Sequence, residues 1–238
     1  MKIKQKIVAL TGAGISAESG IKTFRDSDGL WENHRIEDVA TPEGWAANPS
    51  LVLDFYNQRR AQLFTVEPND GHRALADLER DFEVHIVTQN VDDLHERAGS
   101  TQVLHLHGQL RQVRSNRFEQ LVYPWDKDLH LGDLCERGHQ LRPHIVWFGE
   151  AVPMLESAAE LAEKADVFLI IGTSLQVYPA AGLMRYARRN IPFYYVDPRP
   201  QLNFELTSMP NLTIIEEPAS TGVRKVAAQL AANPPINQ

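Results

Sequence analysis

Short apolar, β-branched runs recur along the chain at 7–10, 84–88, 103–106, 145–148, 167–172, 193–196 and 212–215. Most are continuous rather than alternating, the pattern of strands buried on both faces of a parallel sheet. Helical patterns lie between several of them. One follows Pro153 over 154–165. A second, amphipathic, covers 180–189 and ends before Asn190. A third covers 220–232, before Pro234-Pro235, with Ser220 as its expected N-cap. This alternation predicts an α/β fold, a Rossmann-like doubly wound parallel sheet with helices on both faces. Two stretches break the rhythm. Residues 26–72 are helical in pattern and carry no strand signal, and 111–143 are polar, rich in Arg and poor in apolar runs. Both fall between sheet strands and so project from one end of the sheet. The expected organisation is a sheet domain of 1–25, 73–110 and 144–238, plus a smaller domain formed by the two insertions, 26–72 and 111–143. A ligand cleft is expected between the small domain and the carboxyl ends of the strands.

Composition narrows the class. The chain has 238 residues, 43% hydrophobic and 23% charged, as in a soluble globular protein. No apolar run approaches the roughly 20 residues that span a bilayer. The start, MKIKQKIVAL, is basic then apolar, but its apolar part is short and leads into a glycine turn. It reads as a first strand, and a cytoplasmic location is expected. The single cysteine, Cys135, permits no internal disulfide and fits a reducing compartment. A net charge of −7 argues against nucleic acid as a partner. The basic pairs Arg59-Arg60 and Arg188-Arg189 read as solvated helix faces. No dimerisation helix is evident, so a monomer is expected.

Chemistry-bearing residues cluster at strand ends. The first strand runs into Gly12 and Gly14, with Ala17 three residues on, the G-x-G-x-x-G/A layout of a dinucleotide-binding turn. In that layout Gly12 permits the tight turn, Gly14 the approach of a pyrophosphate, and Ala17 close packing of the next helix on the sheet. The same glycines also suit an ordinary strand–turn–helix. An ordinary dehydrogenase would close a second strand with an acidic residue about 20 positions later. Here Phe24-Arg25-Asp26 is followed by a long stretch without a strand. The second strand ends in Gln89-Asn90-Val91-Asp92-Asp93, where Asn90 or Asp92 could contact a ligand or cap the helix from Leu94. The third ends in His105-Leu106-His107-Gly108. Alternation puts both histidines on one side, as candidate general bases or as satisfied polar groups. Gly172-Thr173-Ser174 is a phosphate- or ribose-binding turn, or a plain turn with a cap.

Five blocks in order, each at a strand end, resemble the sirtuins: GAGIS with FR, TQNVD, HLHG, the end of VWFGE, and GTSLQVYPAAG. The resemblance runs from about Ile7 to the C-terminal helix. It implies an NAD-dependent protein lysine deacylase with a Rossmann domain and a small domain. Gly12, Ala13, Gly14 and Ser16 would line the NAD phosphates and ribose, and Phe24 and Arg25 would hold the cofactor near its reactive ribose. Gln89, Asn90 and Asp92 would shape the nicotinamide pocket, and His107 would be the general base, so His107 and Asn90 are the expected catalytic residues. Gly172, Thr173 and Ser174 would hold the adenosine side, with Ala219 near the adenine. Val146, Phe148 and Gly149 would flank the acyl-lysine tunnel. The implied reaction breaks the nicotinamide glycosidic bond as the acyl oxygen attacks the ribose. His107 deprotonates a ribose hydroxyl, and lysine, nicotinamide and O-acyl-ADP-ribose leave.

The helical insertion resembles the family branch that removes succinyl and malonyl groups as well as acetyl. Its marks are Ala40, in VATPEG, and Tyr56 with Arg59, in FYNQRR. Positions i and i+3 share a helix face, so a phenol and a guanidinium there can grip one carboxylate, and the small Ala40 leaves room for a longer chain. Taken without the resemblance, Tyr56 would pack under the helix and Arg59 would be solvated. Two departures from the family stand out. Most sirtuins carry a zinc ribbon of two C-x2-C pairs. Here Ser115 and Phe118 fall where the first pair is expected, and Gly138 follows Cys135 by three. One thiolate cannot build a four-ligand zinc site, and His130, His139 and His144 lack the matching spacing. The second module is thus expected to be ribbon-like without metal, held by packing and by polar contacts around Arg111, Asn116, Arg117 and Asp126. The other departure is Asp197, where the family usually has Asn. Its carboxylate can accept from ribose hydroxyls and would repel a 2′-phosphate, which favours NAD over NADP. Thr23, where many sirtuins have Asp, agrees with the acidic-acyl branch. The alternatives are ADP-ribosyl transfer or NAD hydrolysis on the same fold, or an NAD or ADP-ribose sensor. The retained His107 favours deacylation over the first, and the intact Asn90, Asp92 and His107 argue against the second.

Overall fold

The computed structural model describes residues 4–22, 30–31 and 33–232. In chain order its strands are β1 Lys6–Thr11, β2 Leu30–Trp31, β3 His34–Arg35, β4 Glu83–Thr88, β5 Val103–His105, β6 Gly108–Ser115, β7 Val122–Pro124, β8 Leu141–Ile145, β9 Val167–Ile171, β10 Phe193–Val196 and β11 Leu212–Ile215. The helices are α1 Ala13–Ser16, α2 Ile36–Val39, α3 Pro42–Ala47, α4 Pro49–Leu63, α5 Asp70–Leu78, α6 Leu94–Arg97, α7 Leu155–Glu163, α8 Phe204–Thr207 and α9 Ala219–Ala232. Among the described residues, no helix is long and apolar enough to cross a membrane.

Six strands form one sheet in the order β11-β10-β9-β1-β4-β5, with every neighbouring pair parallel. The chain moves outward from β1 in one direction through β4 and β5, and in the other through β9, β10 and β11. The order therefore reverses between β1 and β9, the place where open α/β sheets bind ligands. Every residue of β9 is fully buried, which is why its sequence, VFLII, shows no alternation. One apolar core covers one face with α7 and residues 180–187, and another covers the opposite face with α5 and α9.

Several expectations change. The strand expected at 145–148 ends at Ile145 and lies outside the parallel sheet. As β8 it pairs antiparallel with β6, which pairs in turn with β7. This second sheet reaches beyond 111–143 at both ends: β6 starts at Gly108, just past the third parallel strand, and β8 runs to Ile145. A Cβ at Gly108, where φ is 83°, would lie 2.0 Å from the His144 carbonyl oxygen, so only glycine lets the two strands meet there. The first insertion does contain strand, the short β2–β3 ladder. The helix expected at 180–189 is a 3-10 helix over Ala180–Tyr186. Ser220 does not precede α9 but lies inside it, and its backbone N and Oγ donate to the Glu18 carboxylate at 3.0 and 2.7 Å. Ala17 is exposed rather than packed on the sheet, because α1 lasts one turn before a 3-10 turn that Gly20 ends.

The helical insertion is set by local signals. Thr41 accepts from the Gly44 N–H at 3.0 Å and Asn48 from Leu51 at 3.1 Å, each followed by proline at the first helical position. α4 then carries Arg60 inward. Arg60 is 1% exposed, against the solvated face expected of it. Its Nε donates to the Leu110 carbonyl at 2.8 Å, and its Nη1 to Asn57 Oδ1 at 2.8 Å and the Lys127 carbonyl at 3.3 Å. Burial lowers its pKa to about 10, still charged at neutral pH. Arg60 thus fastens α4 to β6 and to the following loop. Arg188, by contrast, is half-exposed and pairs with Asp166 at 2.9 Å.

No group of three or more His, Cys, Asp or Glu side chains among the described residues is placed to hold a metal ion. Where a ribbon's ligands would meet, Ser115 Oγ accepts from the backbone N–H of Arg117 and Phe118 at 3.3 and 3.2 Å, and Cys135 Sγ lies 3.4 Å away. His139 packs edge-on against Phe118 and Arg137 stacks over it, with centroid distances of 5.3 and 4.6 Å. Val113, Leu129, Cys135 and Leu141 form an apolar cluster beneath. Arg111 bridges Asp126 at 2.7 Å and Asp93 at 2.9 Å.

Arg60→Met is expected to cost about 2–3 kcal/mol of stability in a denaturant titration, since it strands buried acceptors of a charged donor. A loss near zero would mean that the buried bonds contribute nothing. Adding a chelator is expected to leave the thermal unfolding midpoint unchanged, and stoichiometric zinc in the purified protein would contradict a small sheet held by these contacts alone.

Candidate active site

The turns after β1 and β9 lie against each other. Gly12 N donates to the Ile171 carbonyl at 3.0 Å and Gly14 N to the Gly172 carbonyl at 2.8 Å. A Cβ on Gly14 would stand 2.6 Å from Gly172 Cα, and one on Gly172, with φ at 60°, would stand 2.3 Å from Ile15 N. The glycines are therefore required by backbone packed on backbone. The N–H groups of Gly12 and Gly14 are committed to the end of β9 and its turn, and this packing by itself demands glycine at 14.

At these strand ends opens a cleft of about 430 Å³. Gly12, Ala13, Gly14, Gln89, Asn90, Asp92, Gly172, Thr173, Ser174 and Asp197 line it, together with His107, Ala40, Tyr56, Val146, Phe148 and Gly149. Three expected residues do not. Ser16 is fully buried behind the wall. Ala219 is buried under Gly71, and its neighbour Pro218 lines the cleft instead. Arg59 lines a small adjoining cavity of about 40 Å³ that shares Ile21, Lys22, Val91 and Asp92 with the cleft. Phe24 and Arg25, with Thr23, lie outside the described residues.

Behind the cleft, Asn90 Nδ2 donates to the Gly12 carbonyl at 3.2 Å and to Ser16 Oγ at 3.1 Å, and Ser16 Oγ donates to Asp92 Oδ2 at 2.9 Å. Asp92 Oδ1 accepts from Leu94 N at 3.2 Å, so Asp92 takes part in both the helix start and the wall of the pocket. Burial raises the Asp92 pKa to about 6. His72 and His95 complete the layer, rings 4.9 Å apart, with His95 Nε2 3.0 Å from Thr11 Oγ1.

The two histidines of HLHG part company. β5 ends at His105, so strict alternation stops there. His105 is buried between the Asn90 carbonyl at 3.0 Å and Glu96 Oε1 at 2.7 Å. Burial opposes its charge, but Glu96, the Asn90 carbonyl and Asp92 together outweigh burial and raise its pKa. Only His107 lines the cleft. Its Nδ1 is 3.0 Å from the Gln89 carbonyl, which can only accept, so Nδ1 carries the proton and Nε2 is left as the basic nitrogen. Burial lowers the His107 pKa, partly offset by that carbonyl. The neutral imidazole is therefore the prevailing form at neutral pH.

Tyr56 is fully buried and its hydroxyl accepts from Trp147 Nε1 at 3.0 Å. Ala40 is 3% exposed, and its carbonyl takes the Phe148 N–H at 3.0 Å. Arg59 lies over the Phe55 ring, 5.3 Å from its centroid. Sequence reasoning missed Trp147, Glu150, Glu18 and Tyr178, all of which line the cleft. Trp147 and Glu150 stand inside the VWFGE block and were signalled by it. Glu18 was not, because its bond to Ser220 spans 202 residues.

The profile of the Sir2 family matches residues 12–179. The chain is 63% identical over 195 residues to an "NAD-dependent protein deacylase" of Helicobacter pylori, covering 82% of this chain and 85% of that protein. It is 49% identical over 236 residues to one of the same name from Bacteroides thetaiotaomicron, covering 97% and 100%. Among solved structures, a Sir2 homologue in complex with NAD matches with a TM-score of 0.83 and 38% identity, over 96% of this chain and 90% of that one. A family match through both glycine turns and the His107 loop, with relatives alike over nearly their whole length, makes this chain a member of the Sir2 family.

Proposed function

We propose that the chain is an NAD-dependent protein lysine deacylase that removes succinyl, malonyl and acetyl groups and releases nicotinamide and O-acyl-ADP-ribose. The observation that carries this reading is His107, held as the Nδ1–H tautomer in the cleft with a lowered pKa. The shared name of the relatives supports it.

The cleft suits NAD. It spans the ends of five adjacent strands, from Asp197 after β10 to His107 beyond β5, and at about 4.8 Å per strand that is about 19 Å. Its volume falls within the roughly 300–1,000 Å³ of small-molecule sites. Gly172, Thr173, Ser174 and Asp197 would hold the adenosine side. The Asp197 carboxylate would accept from ribose hydroxyls and repel a 2′-phosphate. Gln89, Asn90 and Asp92 would enclose the nicotinamide, with Ser16 bracing the last two from behind. When bound, NAD supplies a glycosidic bond activated by its nicotinamide cation. His107 Nε2 would take the proton from a ribose hydroxyl. Trp147, Val146, Phe148 and Ile145 give the acyl-lysine passage apolar walls that exclude water.

The acyl preference follows from Ala40, Tyr56 and Arg59. Tyr56 in the main cleft and Arg59 in the adjoining cavity, one turn apart on α4, would receive a terminal carboxylate from two directions.

Incubation with NAD and a panel of acyl-lysine peptides, read by nicotinamide release, tests the reading. His107→Ala is expected to abolish deacylation while NAD still binds. Arg59→Met is expected to reduce kcat/KM on succinyl-lysine about 30-fold or more, a loss of about 2 kcal/mol, and to affect acetyl-lysine far less. Equal losses on both peptides would count against the clamp. The pH profile is a separate check. The base must be deprotonated, so activity is lost as pH falls through the His107 pKa, and the acid limb is expected below the ordinary 6.5. Asp92, at about 6, titrates nearby. A limb that persists in Asp92→Asn belongs to His107, and a limb at or above 6.5 would contradict the lowered pKa.

A further inference from the structure

The acyl end of the cleft contains a hydrogen bond that the clamp residues alone do not explain. Trp147 Nε1 lies 3.0 Å from Tyr56 Oη, with the two residues 2% and 0% exposed. An indole N–H can only donate. Tyr56 Oη is therefore the acceptor of this bond, and its own proton is turned away from Trp147. Burial holds the phenol well above its ordinary pKa, so it keeps that proton.

The indole is itself held. The Arg142 guanidinium stacks over its face, 3.2 Å from the ring centroid, and Trp45 packs against it at 5.8 Å. Arg142 is paired with both oxygens of Glu150, at 2.7 and 3.1 Å. Glu150 Oε2 also accepts the Trp147 backbone N–H at 2.8 Å. Burial works against the Glu150 charge, but Arg142 and the Trp147 N–H hold its pKa below the usual carboxylate value. A cation over the ring face is favourable in itself and draws electron density from the indole, which strengthens its N–H as a donor. A part-buried ion pair thus fixes the indole, and the indole fixes the phenol.

We propose that Trp147 is a positioning residue for acyl selectivity: its indole N–H occupies the acceptor side of the Tyr56 hydroxyl and turns the phenol proton toward the acyl group, so that Tyr56 donates to a terminal acyl carboxylate. The proposal rests on the reading that Tyr56 and Arg59 recognise an acidic acyl group. It adds that their selectivity is set from outside α4, by the segment after β8.

Trp147→Phe keeps an aromatic ring under Arg142 while removing the donor together with part of the ring volume, a packing loss that falls on both peptides alike. With NAD and matched succinyl-lysine and acetyl-lysine peptides, the succinyl-to-acetyl ratio of kcat/KM is expected to fall about fivefold, mainly through the KM of the succinyl peptide. Tyr56→Phe is expected to lower the ratio at least as far, and the double variant no further than Tyr56→Phe alone. Should Tyr56→Phe lower the ratio while Trp147→Phe reduces both peptides equally, or should the two losses add, the positioning role is overturned and the clamp stands. Should Tyr56→Phe leave the ratio unchanged, the clamp fails and the proposal fails with it. A second measurement does not depend on the folding of Trp147→Phe. The chain has four tryptophans, and one indole ¹⁵N–¹H resonance is expected to shift between wild type and Tyr56→Phe. An unshifted set would overturn the hydrogen bond itself.

Discussion

The turn after β1 and the turn after β9 occupy a space in which no side chain fits between them. Gly14 and Gly172 meet backbone to backbone, and a Cβ on either would lie within 2.6 Å of the other turn. This contact sits where the strand order reverses, and it brings the carboxyl ends of the two central strands together. The positions of Gln89 and Asn90, reached through β4, and of Asp197, reached through β10, depend on that central pair. The cleft is the mouth left where neighbouring connections diverge from it.

Two different kinds of polar order surround the cleft. Behind it, Ser16, Asn90 and Asp92 share short bonds in a layer that also holds His72 and His95. Those histidines are pushed toward neutrality by burial, so the layer adds little cationic charge to a site whose cofactor brings a cation of its own. On the small-sheet side the order is carried by arginines. Arg114 and Arg142 converge on the part-buried Glu150, and Arg60 donates from α4 to neutral carbonyls of β6 and the loop beyond. Ion pairs and charged donors so placed add little net stability over apolar packing, but each fixes a direction. Here that direction is passed through Trp147 to Tyr56 at the cleft wall.

Much of this was legible in advance. The seven apolar runs correspond to the six strands of the parallel sheet and to a seventh segment beside the cleft. The glycine turns, the TQNVD block and His107 all lie at strand ends, as their sequence context indicated. The misplacements share a cause. The run at 145–148 is apolar because Trp147 and Ile145 are buried at the cleft, and periodicity cannot distinguish that burial from burial in a parallel sheet. Alternation puts His105 and His107 on one face, and it fails where β5 ends and Gly108 redirects the chain.

The sequence by itself determined the α/β class, six of the strands, the chain order of the cleft residues and the family resemblance, because these rest on local periodicity, turn chemistry and motif spacing; the strand order and its switch point came from tertiary pairing. Only the tertiary structure decided which of two neighbouring arginines is buried, which histidine lines the cleft, and what holds the small sheet. Arg60 is buried because the Leu110 and Lys127 carbonyls meet it from distant segments. Ser115 and Cys135 come together across 20 residues, and Trp147 reaches Tyr56 across 91. Contacts of that range arise from packing, and no pattern confined to a helix or a strand encodes them.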